Sequence, residues 1–96
     1  MRLLTKNKGT ITMIIKVEEV TYKHMETAYK AFKRGLRDWD SVSNTITENY
    51  FLYRDLVGRE NISQRIQKLY NTIVNMEYGT IEQQKQAGID LVTMFS

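Results

Sequence analysis

The chain has 96 residues and a mass of 11.3 kDa. That is enough for one domain with a single modest core. Apolar residues make up 42% and charged residues 26%, with a mean hydropathy of −0.46, which excludes a disordered chain and a membrane-embedded one. There is no cysteine, so disulfides, thiolate nucleophiles and cysteine-ligated zinc are excluded too. No signal-peptide pattern is visible at the start, because Lys6-Asn7-Lys8 interrupts the apolar stretch.

The formal charge is +3, with 14 basic against 11 acidic residues. Arg2, Lys6 and Lys8 supply the whole excess, and residues 1–12 contain no acid. The remainder is neutral, so overall basicity does not argue for a nucleic-acid partner. Residues 1–12 have two readings. They are an N-terminal arm, or they are an over-annotated stretch ahead of a native start at Met13, with residues 13–96 forming the single helical domain. Residue types with AT-rich codons (Phe, Tyr, Met, Ile, Asn, Lys) outnumber those with GC-rich codons (Gly, Ala, Arg, Pro) by 37 to 14. This bias points to an AT-rich genome, such as that of a low-GC bacterium or its phage or mobile element; with no signal-peptide pattern visible, a cytoplasmic setting is the expectation.

In chain order, Thr10 to Val17 is rich in β-branched residues and predicts a short N-terminal strand. Asn7-Lys8-Gly9 could turn it into a hairpin with Leu3–Lys6. From Thr21 the period becomes helical. Met25, Tyr29, Phe32, Leu36 and Trp39 form one apolar stripe, and the helix is expected to end near Asp38. Lys23, Lys30, Lys33, Arg34 and Arg37 fall on the roughly opposite face, while Ala28, Ala31 and Gly35 form a small-residue flank.

Asp40 or Ser41 is expected to cap a second helix over 41–57, with Val42, Ile46, Tyr50, Tyr53 and Leu56 facing the core and Gly58 ending it. Asn61 is a candidate cap for a third helix over 60–78, whose stripe is Ile62, Ile66, Leu69, Ile73 and Met76. Gly79 stops it. Thr80 and Gln83 then have capping-box spacing, opening a last helix over 81–94. The fold class is therefore mostly α: a compact bundle of about four helices with a short N-terminal strand or hairpin, the alternative being α+β.

No catalytic constellation emerges. His24 is the one histidine and has no partner at metal-ligand spacing. Asp38 and Asp40 point about 200° apart on a helix. The five glycines form no phosphate-binding loop. The expectation is a non-enzyme without metal or cofactor.

Two binding signals remain. Tyr50-Phe51-Leu52-Tyr53 is apolar most of the way round its helix, with Arg54 at the rim. These five residues are the candidate protein interface of a self-associating chain, because tyrosine and its neighbours combine large area with a polar handle. Lys23, Lys30, Lys33, Arg34 and Arg37 are the candidate nucleic-acid contact. The segment Ile62-Ser63-x-Arg65-Ile66-x-x-Leu69 echoes a recognition helix, although the spacing from Gly58 is short and Arg54 occupies the position where two such helices would cross. The leading expectation is an accessory or inhibitory factor working through protein contacts, with homo-oligomerisation and no membrane association. The alternatives are a DNA-binding regulator with a degenerate helix-turn-helix, and a small-ligand site at an oligomer interface.

Overall fold

The structure, a computed structural model, describes residues 8–96. Four helices follow one another: α1 (Lys8–Lys33), α2 (Trp39–Val57), α3 (Gln64–Tyr78) and α4 (Ile81–Met94). A short 3-10 turn, Arg59–Asn61, lies between α2 and α3. Packing is closest between α1 and α2 and between α3 and α4, and α2 joins the two hairpins through α3. The mostly helical bundle is as expected, and no strand occurs among the described residues.

The expected strand over 10–17 is instead the beginning of α1. The residues that suggested it also fit a helical period. Ile14, Val17, Thr21 and Met25 recur three or four residues apart, and Ile14 and Val17 pack against the core. A β-branched residue loses only a few tenths of a kcal/mol in a helix. Burial of these side chains outweighs that loss. Lys8 and Gly9 belong to the helix as well, so they form no hairpin turn there, and α1 runs across the boundary expected at residue 12. The proposed partner strand, Leu3–Lys6, lies outside the described residues.

The end of α1 is also earlier than expected. Gly35 has φ +76°. Its N–H donates to the Phe32 carbonyl at 2.9 Å, and the Leu36 N–H donates to the Ala31 carbonyl at 2.9 Å. This pair of bonds is a Schellman stop, and glycine is favoured at its left-handed position. Leu36 is consequently exposed, and Trp39 opens α2 rather than closing α1.

Asp38, not Asp40 or Ser41, caps α2: its carboxylate accepts from the Ser41 N–H at 2.8 Å. Gly58 ends the helix as expected. The α3 cap is Ser63 rather than Asn61, because the 3-10 turn occupies 59–61 and delays the helix. Asn61 instead donates its side-chain N–H to the Val57 carbonyl. Gly79 ends α3, and the Thr80–Gln83 capping box forms in both directions.

The core combines Met25, Ala28 and Tyr29 of α1, Val42, Ile46, Tyr50, Tyr53 and Val57 of α2, Ile66, Leu69 and Ile73 of α3, and Leu91 and Phe95 at the C-terminal end. Leu56, expected in the core, is exposed, and Val57 takes its place. A polar clasp fastens the elements together. Glu18 of α1 receives Arg65 in a two-pronged ion pair and also the Ser63 hydroxyl. The Arg65 guanidinium lies 3.9 Å from the centre of the Tyr22 ring, whose hydroxyl donates to the Met94 carbonyl.

Candidate functional site

The Tyr50–Arg54 segment does not form one surface. Successive helical residues lie ~100° apart, so the five side chains spread round α2. Tyr53 is 1% exposed; its hydroxyl accepts the Ser63 N–H at 2.9 Å and donates to the Asn61 carbonyl. Tyr50 is buried too, stacked on Tyr70 with ring centres 4.0 Å apart, and its hydroxyl donates to Gln67. These two tyrosines are core residues of this chain, which corrects their place in the candidate interface. Phe51 sits edge-on to Tyr50 and Tyr70, with the Arg54 guanidinium 4.7 Å from its ring centre. The tyrosine-and-arginine cluster is therefore packed against itself.

Leu52 faces the other way. It meets α1 across a groove of about 330 Å³ lined by Lys16, Val17, Val20, Thr21 and His24 on one side and Asn49, Leu52, Tyr53 and Leu56 on the other. Val20, Leu52 and Leu56 are 56%, 62% and 66% exposed. Three large aliphatic side chains thus stand open on adjacent helices. On α1 the same side continues to Met13, also exposed, seven residues before Val20. A contiguous apolar patch shared by two helices is a candidate contact surface.

The sequence flagged Leu52 but missed Val20 and Leu56. Val20 falls outside the Met25–Tyr29–Phe32 stripe, and the helical period of α2 places Leu56 beside its core residues. A second helical period on α1, Met13, Val17, Val20 and His24, was the available signal.

The five basic residues of the nucleic-acid candidate separate. Lys23 and Lys30 share the outer side of α1, with Lys30 3.2 Å from Glu26, and Arg34 lies in the turn just after the helix. Lys33 borders a different hollow, beside Phe32 and Trp39. Arg37 lies beyond the helix and spends its guanidinium on Ser41 and Thr45. Arg65, within the 62–69 segment, is held by Glu18 and Tyr22. The Arg65 hydrogen bond draws the Glu18 carboxyl below its ordinary range, against partial burial, and the same bond raises Arg65. Burial raises the Tyr22 phenol.

Among the described residues no three acidic or histidine side chains converge on a metal-sized site, and no helix is long and apolar enough to cross a membrane. Comparisons with family models, curated proteins and solved structures find no match for this chain. Its function must be argued from this geometry alone.

Proposed function

We propose that this chain is a small non-enzymatic binding protein that acts through protein–protein contacts, as an accessory or inhibitory factor, and that the α1–α2 groove is its contact face. One observation carries the reading: Val20, Leu52 and Leu56 stand exposed side by side along a groove between two helices. Burying an aliphatic side chain of this size is worth about 1.5–3 kcal/mol, so three on one face can anchor a complex. The codon-type bias supports a low-GC bacterial or phage setting, and action in the cytoplasm belongs to the same proposal. The basic row on α1 supports a nucleic-acid role less well, because Lys30 is paired, Arg37 is engaged within the chain and Lys33 points to another surface.

The test is the double variant Leu52→Ser/Leu56→Ser, tagged and compared with the wild-type chain in the cells that naturally contain it. Both side chains are exposed in the single chain, so helicity and, at low protein concentration, melting temperature should hold. Cross-linked protein complexes containing the wild-type chain should be lost in the variant. Identical complexes in both would sink the proposal.

A further inference from the structure

The groove carries opposite charges on its two outer walls. On α1, Lys16 and Lys23 lie ~40° and ~60° further from the core than Val20. On α2, Glu48 and Asp55 lie ~40° and ~60° beyond Leu52. All four side chains are exposed. One wall of the apolar face is therefore basic and the other acidic.

The heights match as well. The helices are antiparallel, and the hollow adjoining the groove, lined by His24, Thr27, Ala28, Arg37, Thr45 and Asn49, sets their alignment. Groove residues 16–24 face 49–56 and those of the next hollow, 24–28, face 45–49, so the antiparallel register that sets 24 opposite 49 also sets 17 opposite 56. Lys23 is then within about two residues of the height of Glu48, and Lys16 of that of Asp55. At 1.5 Å per residue that is ~3 Å, well within the reach of a lysine.

We infer that the occupant of this groove is a second copy of the same chain, related by a two-fold axis running along the helices. This rests on the reading of the groove as a protein-contact face. Rotation about such an axis carries α1 of one copy over α2 of the other and preserves height. Lys16 and Lys23 of each copy then face Asp55 and Glu48 of its partner, while Val20, Leu52 and Leu56 close in the middle. The product is an antiparallel four-helix layer, α1–α2 on α1–α2, of the kind that buries a shared apolar seam. The other in-plane two-fold axis, across the helices, would set α1 on α1 and α2 on α2. It opposes lysine to lysine and carboxylate to carboxylate, so charge selects between the two arrangements.

Sedimentation equilibrium on the full chain tests this, with two charge-reversed variants: Lys16→Glu/Lys23→Glu and Glu48→Lys/Asp55→Lys. The wild-type chain should dimerise. Each variant alone should dimerise about tenfold more weakly or worse, because four attractive pairs become repulsive. An equimolar mixture of the two should recover a dimer, since both junctions of the mixed pair are again of opposite charge. All four positions are exposed, and circular dichroism on each variant checks that the fold is kept. A wild-type chain that stays monomeric up to millimolar concentration overturns the inference. So does a dimer whose affinity the charge reversals leave unchanged. In either case a partner lost in the Leu52→Ser/Leu56→Ser comparison would leave the broader protein-binding reading standing.

Discussion

Glu18 shows how much one polar residue organises. Its side chain is 14% exposed and takes hydrogen bonds from Arg65 and Ser63, so it ties the middle of α1 to the start of α3. The Ser63 hydroxyl serves twice, donating to Glu18 and accepting the Ile66 N–H as the α3 cap. Because the folded-state pKa of Glu18 is lowered, the unfolded chain binds more protons in the interval between the two pKa values, and stability rises with pH there. The contribution is fully present above the ordinary carboxyl value of 4.5 and is lost as pH falls through the lower, folded value. Arg65 is half exposed, which screens the pair. Glu18→Gln should therefore cost about 0.5–1 kcal/mol at neutral pH. In urea titrations at a series of pH values the difference from wild type should vanish in acid; a constant difference at all pH values would mean the carboxylate charge is not what matters.

Among the elements, α1 departs most from what its sequence predicts. Residues 10–17 have strand-like composition, yet they are helical because their apolar side chains also repeat at helical spacing and reach the core formed by the later helices. At the other end, Gly35 stops the helix although the apolar stripe runs on to Leu36 and Trp39. A glycine within a periodic run reads equally as a close-packing residue or as a stop, and the left-handed conformation decides for the stop. Nothing lies within 4 Å of a Cβ built on Gly35, so Gly35→Ala pays only for its backbone conformation. The expected loss is about 1 kcal/mol, read as a lower melting temperature with unchanged helicity at low temperature. No loss would show that the stop tolerates an L side chain. Helices α2 to α4 kept their predicted extents to within a few residues, since Gly58, Gly79 and the Thr80–Gln83 box act on their nearest neighbours in sequence.

At the scale of the whole molecule, α2 separates two environments. Ile46 is fully buried between the hairpins, whereas Leu56, on the same helix, opens onto the groove. Ile46→Ala should cost the folded monomer about 2–5 kcal/mol, and Leu56→Ala close to nothing. Chemical denaturation at low protein concentration checks both. At high concentration Leu56→Ala should become destabilising too, because a dimer that buries Leu56 is then populated and its formation adds to apparent stability. Equal effects at both concentrations would count against the groove as an interface between copies.

The helical class, the number of helices, the stops at Gly58 and Gly79 and the last capping box were all decided by the sequence alone. Each depends on residues within one or two turns of each other, where spacing and cap chemistry act directly. Only the tertiary structure decided the rest. Tyr50 and Tyr53 became core while Leu52 and Leu56 stayed outside, because a helix that is apolar all round gives no local sign of which side its neighbours will cover. The placement of Lys16 and Lys23 on one wall of the groove and of Glu48 and Asp55 on the other is likewise invisible along the chain. Those residues lie about 25 to 40 positions apart in sequence, and only the antiparallel packing of α1 on α2 brings their heights into line.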